Sequence, residues 1–367
     1  MTILTPMQQA LNLANKARGS TSPNPSVGAV IVKDNNVVGQ GHTLPAGQEH
    51  AEIVALQQAG SLAKGATLYV TLEPCCHYGR TPPCTEAIIK AGLKTVYVAA
   101  LDPNPKVTNQ GIQILTSAGI ETIIDTSVNT HELYEAFSKH IKTNSPFVIA
   151  KFAMSLDGKI ATYEGDSKWI TGNDSRVLVH DMRRISDAIM VGVNTIISDN
   201  PQLTARDSND HPLDVQPMRI IVDSHGRTPP ESQVFSEGGK VLIHVCDYCP
   251  KSNIDILESS GAEVIIGTSD STGRVDLHSV LNHLGERGIV TLLVEGGGTL
   301  LGSLFDQDLI DKIYAFTAPI IIGGKAAPSP VEGEGSPLMS DVWHITNAKH
   351  RTIGKDWLVI GYPDRRT

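Results

Sequence analysis

A chain of 367 residues with 40% hydrophobic and 19% charged side chains is globular and too long for one ordinary core, so two domains are expected. A formal charge of −9 argues against a general nucleic-acid binder, which needs a basic surface. No apolar run reaches the roughly 18 residues of a membrane span, and five cysteines, odd in number and clustered, do not make a secreted disulfide framework.

The start, MTILTPMQQALNLANKARGS, lacks the basic-then-apolar pattern of a secretory signal, and a reducing cytoplasm is the expected compartment. It reads as a helix capped by Thr5, with Pro6 at its first position and Gly19 at its end; Met7, Ala10, Leu11, Ala14 and Ala17 form the apolar face. Two apolar runs flank Asp34-Asn35-Asn36, a hairpin signal. AEIVALQQAG (residues 51–60) is a helix, GATLYVTLEP a strand, PCTEAIIKAG a helix and KTVYVAALDPNP a strand. NQGIQILTSAGI and ETIIDT repeat the helix–strand pattern, and the helical NTHELYEAFSKHIKT leads to Asn144-Ser145-Pro146. Strands separated by ten-residue helices imply a sheet covered on both faces.

The pattern restarts at PFVIAKFAMSLDGKIA. RVLVHDMRRISDA is a helix, and AIMVGVNTII, MRIIVDS, KVLIHVC, AEVIIG and IVTLLVEGGG are strands. TLLGSLFDQ is a helix and KIYAFTAPIIIGG a late strand. The boundary falls near residue 146, giving α/β domains over 1–145 and 146–367 whose sequences do not mirror each other.

Three cysteines lie within ten residues, shortly after a His-Ala-Glu triplet. Zinc takes imidazole nitrogen and thiolate in a tetrahedron, and a catalytic site leaves one position open. His50 at a helix start, Cys75 after Pro74 and Cys84 after Pro82-Pro83 are the candidate ligands. Helix N-termini favour the ionised thiolates. Glu52, two residues past His50, lies on another helix face and suits a proton shuttle, with zinc lowering the pKa of its water to about 7. His-x-Glu, then Pro-Cys, then a second Cys is the signature of zinc deaminases. It departs from Pro-Cys-x-x-Cys, since Tyr78 stands three residues after Cys75. Cys76 competes for the ligand role, and Cys75 is preferred because Pro74-Cys75 matches the signature. A structural site with His77 as fourth ligand is the alternative, but it leaves Glu52 unexplained.

TSPNPSVGAVIV, GQGHTLPAGQEHAE, TLEPCCHYGRTPPC and DPNPKV together resemble the pyrimidine deaminase domain of the bifunctional riboflavin biosynthesis deaminase/reductases. KFAMSLDGKIA, SKWITG, DAIMVGVNTIISDNPQLTAR and LLVEGGGTLLGSLF resemble the reductase domain of the same family. The resemblance covers nearly the whole chain in the expected order. It implies a cytidine-deaminase-like α/β/α domain followed by a dihydrofolate-reductase-like α/β domain. It also implies two steps on a small phosphorylated pyrimidine: hydrolytic removal of the 2-amino group of 2,5-diamino-6-(5-phosphoribosylamino)pyrimidin-4(3H)-one, then reduction of the ribosyl chain with NADPH. Carried over, His50, Cys75 and Cys84 bind Zn2+ and Glu52 shuttles the proton. Asn24, His42, His77, Arg80 and Asn104 line the base and phosphate. Asn24 and Asn104, each in Pro-Asn-Pro, read by themselves as turn formers.

In the second half VEGGGTLLGS follows an apolar run and opens a helix, so a pyrophosphate loop and a tight turn are both open readings. Gly296, Gly297, Gly298 and Gly302 do not spell the Rossmann fingerprint. The resemblance implies substrate contacts at Ser167, Arg183, Leu203, Arg206 and Glu295. It implies cofactor contacts at Ala153, Trp169, Thr195, Asp199, Ser224, Gly297, Gly298, Thr299, Leu300, Leu301, Gly302 and Ser303. Asp199 and Glu295 are candidate acids for the reduction. The Cys246-x-x-Cys249 pair reads as core and turn. NADPH over NADH follows from the resemblance alone, since no basic side chain stands out for a 2′-phosphate. A homo-oligomer is compatible with such a chain, with no subunit count legible. The rival readings are a tRNA-type deaminase, which should show a basic groove, and an inactive zinc scaffold.

Overall fold

The computed structural model describes residues 4–79, 81–105, 107–236 and 238–365. The chain divides into two compact units, Met1–Ser145 and Pro146–Thr367.

In the first unit, α1 (Pro6–Ala17) begins with a reciprocal cap: Gln8 N–H donates to Thr5 Oγ1 at 3.2 Å, and Thr5 N–H donates to Gln8 Oε1 at 2.9 Å. The hairpin forms as expected. β1 (Gly28–Lys33) and β2 (Asn36–His42) pair antiparallel around Asp34 and Asn35, both left-handed at φ 49° and 62°. There follow α2 (Ala51–Ala59), β3 (Thr67–Val70), α3 (Cys84–Ala91), β4 (Thr95–Val98), α4 (Gln110–Ser117), β5 (Glu121–Ile124) and α5 (His131–Thr143). Among the described residues the strands form one sheet in the order β2-β1-β3-β4-β5, parallel from β3 to β5. Alternation along the strands serves two helical layers. Ala29, Ile31, Leu68, Val70, Val96 and Val98 pack with α2, α3 and α4, while Val30 packs with Met7 and Ala10 of α1. This is the expected cytidine-deaminase-like sandwich. α2 lies directly on β2 because Gly39 and Gly41 lack side chains: a Cβ on Gly41 would come within 2.5 Å of the Ala51 carbonyl oxygen. That close seat fixes the start of α2.

The second unit comprises β6 (Phe147–Ser155), α6 (Asn173–Arg184), β7 (Ala188–Gly192), α7 (Val193–Asp199), β8 (Met218–Val222), β9 (Val241–Cys246), α8 (Lys251–Ser259), β10 (Ala262–Gly267), α9 (Leu277–Glu286), β11 (Thr291–Val294), α10 (Gly298–Asp306), β12 (Lys312–Ala318), β13 (His344–Ile353) and β14 (Asp356–Asp364). Its sheet runs β10-β9-β8-β7-β11-β6-β12-β14-β13, parallel from β10 to β12, with β14 and β13 antiparallel. This is the dihydrofolate-reductase-like arrangement expected. Its central strands are continuous apolar runs because both faces are covered; Ile189, Met190, Ile220, Leu292 and Leu293 are fully buried. Each contributes about 1.5–3 kcal/mol by burial.

One expectation is corrected. The strand expected through AIMVGVNTII stops at Gly192, which instead caps α7. Val193 and Ile196 are the buried positions of that run, and a spacing of three is helical rather than extended. The β-branched composition favoured the strand reading, and packing overrode it. α8, α9, β13 and β14 stand outside the elements expected from the sequence.

The strand order reverses at β11, since the chain runs β7-β8-β9-β10 outward and returns to place β11 between β7 and β6; β7 and β11 end close together, while β6 runs on past Ala150 beside β12. In open parallel sheets, ligands bind at such points.

Candidate functional site

In the first unit three element ends converge. His50, extended at φ −76° and ψ 161°, precedes α2; Cys84 is the first residue of α3, behind an extended Pro83; Cys75 lies in the loop after β3. His50 Nδ1 lies 3.5 Å from Cys75 Sγ and 3.4 Å from Cys84 Sγ. The three donor atoms lie within 4.8 Å of one another. A zinc tetrahedron with one nitrogen and two sulfurs has edges of roughly 3.6 Å. The donor set and its spacing therefore fit that ion, and three protein ligands leave a corner open.

The local electrostatics also suit a cation. The Cys84 thiol and its backbone N–H, the latter at 3.3 Å, both donate to Cys75 Sγ at the N-terminus of α3. The hydrogen bond from Cys84 is the largest influence, and with His50 it brings the Cys75 thiol down to about 4 despite burial. The hydrogen bond to Cys75 in turn raises His50. Glu52 is 3% exposed, and burial, then the charge of Cys75, push its carboxyl up to about 7. A carboxyl poised near neutrality can both take and return a proton.

The other sequence candidates fall around this cluster unequally. Cys76 turns away, its Sγ 3.9 Å from Gln110 Oε1. His77 is exposed and stands outside the donor group; its charge acts on Asp102. Asn24 is half-buried in a turn, its carbonyl accepting from Thr21 Oγ1 at 3.0 Å. His42 ends β2 opposite Gly28. Asn104 N–H donates to Asp102 Oδ1 at 2.8 Å. Arg80 lies outside the described residues.

Glu73 escaped the sequence reading. Buried two residues before Cys75, it accepts backbone N–H bonds from Asp102 at 3.2 Å, Asn109 at 3.0 Å and Ile112 at 3.3 Å. It ties the loop bearing Asn104 to the loop bearing Cys75. Its signal was a carboxylate inside an otherwise apolar strand end, LEPCC.

In the second unit a cavity of about 280 Å3 opens beyond the carboxyl ends of β7 and β8. Thr195, Ser224, Gly297, Thr299, Leu300 and Ser303 line it, all sequence candidates. Leu301 is buried in the core. Gly298 and Gly302 face elsewhere: a Cβ on Gly302 would come within 2.1 Å of the Glu332 carbonyl oxygen, so these glycines admit the neighbouring loop.

A buried ionic cluster lies beside the end of β11. Arg183 clasps Glu295 with Nε at 2.6 Å and Nη2 at 3.0 Å, and Lys151 Nζ stands 3.6 Å from the same carboxylate. Burial alone would raise Glu295, but the charges of Arg183 and Lys151 hold it down to about 2. It is thereby kept ionised, which removes it as a proton donor. Burial lowers Lys151. Lys151 was not picked out from the sequence, where a lone lysine in an apolar strand carries no label. Ser167 Oγ donates to Asp199 Oδ1 at 2.9 Å. Arg206 is held by Thr204 Oγ1 at 3.0 Å and the Asp210 carbonyl at 2.7 Å. Leu203 is buried in a left-handed conformation, φ 56°. Ala153 is half-buried on β6, and Trp169 is 70% exposed with the Arg176 guanidinium 4.6 Å from its ring centre. Cys246 lies in the core, and Cys249 N–H donates to its carbonyl in a turn.

Residues 2–100 match the cytidine and deoxycytidylate deaminase zinc-binding region, and residues 146–359 match the RibD C-terminal domain. The chain is 45% identical to the riboflavin biosynthesis protein RibD of Aquifex aeolicus over 96% of each chain. The chain belongs to the RibD family. The solved structure of Acinetobacter baumannii RibD, form 1, aligns with a TM-score of 0.86 at 37% identity over 98% of each chain. A Thermotoga maritima diaminohydroxyphosphoribosylaminopyrimidine deaminase/5-amino-6-(5-phosphoribosylamino)uracil reductase aligns with a TM-score of 0.81 at 34% identity, again over 98% of each. Like the rest of the RibD family, the chain is an enzyme with a deaminase domain followed by a reductase domain. No helix among its described residues is long and apolar enough to cross a membrane.

Proposed function

We propose that residues 1–145 deaminate 2,5-diamino-6-(5-phosphoribosylamino)pyrimidin-4(3H)-one and that residues 146–367 reduce the ribosyl chain of the product with NADPH. The end product is then 5-amino-6-(5-phosphoribitylamino)uracil. The observation that carries this reading is the convergence of His50, Cys75 and Cys84 beside a buried Glu52. Those three residues would hold zinc, which when bound activates water for attack on the ring carbon. Glu52 takes the water proton and passes it to the departing amine. Asn24, His42, His77, Arg80 and Asn104 orient the base and phosphate; an Asn amide matches both donors and acceptors of a pyrimidine edge.

In the reductase half Ala153, Trp169, Thr195, Asp199, Ser224 and residues 297–303 would hold NADPH, which when bound supplies the hydride. Ser167, Leu203, Arg206 and the Arg183–Glu295 pair shape the substrate pocket. Because Glu295 is held ionised, Lys151 is the group there able to give a proton as hydride reaches C1′ of the opened sugar. The acidic chain acts on a free small molecule rather than a nucleic acid, in the cytoplasm, and is compatible with a homo-oligomer.

One assay tests the whole reading. The diaminopyrimidine phosphate is supplied with and without NADPH, and each product is identified by mass. Loss of the amino group without NADPH, and a further gain of two hydrogens with it, are expected. Deamination of an oligonucleotide but not of the free pyrimidine would favour a nucleic-acid deaminase. The ligand assignment has its own test. Cys84→Ser is expected to lose most bound zinc by metal analysis and Cys76→Ser to keep it, and the reverse pattern would transfer the ligand role to Cys76.

A further inference from the structure

The zinc-deaminase signature puts two residues between its cysteines, whereas eight separate Cys75 from Cys84 in this chain. The fold shows what the longer loop reaches. His50 turns Nδ1 toward the two thiols, 3.5 Å from Cys75 Sγ and 3.4 Å from Cys84 Sγ, so Nε2 points out of the donor cluster. Thr81, three residues before Cys84, meets it there, with Oγ1 at 3.4 Å from Nε2. Among the described residues it is the one hydrogen-bond partner of that nitrogen.

Packing does not hold the ring on this side. The outer edge of half-buried His50 faces a cavity of about 590 Å3, bounded by the segment before α2 and by α3. The His50 side chain makes no capping bond to α2. A hydrogen bond is therefore what fixes the ring about its own axis.

Thr81 is itself held in place. Its carbonyl accepts from Gly79 N–H at 3.2 Å. Pro82 and Pro83 follow it, and each ring restricts the backbone leading into α3. Tyr78 is 72% exposed and gains little by packing. Its hydroxyl is shared by both carboxylate oxygens of Glu86 at 2.9 Å, which ties the loop to the first turn of α3. The loop is thus fastened to the helix that carries Cys84, and it touches the ring of His50.

The roles of donor and acceptor follow from the metal. A neutral imidazole has one bare nitrogen and one N–H. With the Nδ1 lone pair given to zinc, Nε2 carries the proton and donates to Thr81 Oγ1. A metal-bound histidine takes its tautomer and ring orientation from such a partner, commonly a carboxylate, a backbone carbonyl or water. In this chain the partner is a hydroxyl on the ligand loop.

We propose that Thr81 is a positioning residue for His50, and that the long loop between Cys75 and Cys84 serves to supply it. This rests on the reading of His50, Cys75 and Cys84 as zinc ligands.

The test uses the full chain with Thr81→Val, which keeps the shape and removes the hydroxyl, and Thr81→Ser, which keeps the hydroxyl. Each protein is stripped of metal and titrated with zinc against a chromophoric chelator. Thr81→Val is expected to bind zinc about 10- to 100-fold more weakly than wild type, the range for loss of such a partner, and Thr81→Ser to stay close to wild type. Cobalt(II) saturating the site in place of zinc should give Thr81→Val the thiolate charge-transfer intensity of wild type, because both sulfurs stay bound. Thr81→Val with wild-type zinc affinity overturns the proposal. So does Thr81→Ser as weak as Thr81→Val, since the shape of the loop and not the hydroxyl would then set the affinity. Lost thiolate intensity in Thr81→Val overturns it too, since the cysteines and not the ring would have moved. Wild type that binds no zinc overturns the ligand reading itself, and the proposal falls with it.

Discussion

Glu52→Gln is expected to lower deamination by roughly a hundredfold to ten-thousandfold, the range for loss of a positioned acid–base group. Zinc content and NADPH-dependent reduction of supplied deaminated product should stay at wild-type levels. The amide keeps the size of the side chain and removes the exchangeable proton. The position suits this role because burial pushes the carboxyl up to about 7, so both protonation states are accessible near neutral pH. The check is single-turnover deamination, with metal analysis on the same sample. Near-normal deamination with zinc retained would remove Glu52 from the mechanism.

Arg183→Ala is expected to destabilise the second unit by about 3 kcal/mol and to abolish most reduction, while the deaminase continues. The reason is local: the substitution strips a two-pronged partner from a carboxylate that remains buried beside Lys151, and unpairing a buried ion is costly. All three tryptophans, Trp169, Trp343 and Trp357, lie in this unit, so tryptophan fluorescence during urea unfolding reports on it selectively. The pH dependence follows from the same cluster. Glu295 is held at about 2 against an ordinary 4.5, so its ionised form adds stability at any pH above that ordinary value. Wild type loses this contribution as the pH falls from about 4.5 to about 2. In Arg183→Ala the carboxyl rises toward or above its ordinary value, so this contribution shrinks and the loss of stability below about pH 4.5 becomes smaller than in wild type. Wild-type stability in the variant, or a fall in both activities together, would count against the cluster as a local support of the reductase.

What was legible in the sequence was short-range or chemically rare. The cap at Thr5, the left-handed Asp34-Asn35 turn and the glycines ending α2 and α3 act within a few residues, so their meaning survives without the fold. His50, Glu52, Cys75 and Cys84 were legible because few chains put these groups in this order for any purpose but a metal. Arginines and lysines have no such rarity. Lys151 reads as a charged residue interrupting a strand. Gly298 and Gly302 read as a phosphate loop, although their missing side chains make room for the segment around Glu332. The run after Gly192 reads as strand because β-branched residues favour a strand, and only the packing of Val193 and Ile196 makes it a helix.

By itself, then, the amino-acid order determined that there are two α/β domains, that the first carries a zinc-ligand set with its acid–base partner, and the family to which the chain belongs. The tertiary structure alone decided that Cys76 turns away from His50, that Thr81 meets the outer nitrogen of that ring, and that Arg183 and Lys151 share one buried carboxylate. The division is physical. Caps, turns and ligand motifs are set by nearest neighbours along the chain, whereas charge pairing and cavity walls depend on strands that meet only after the sheet has assembled.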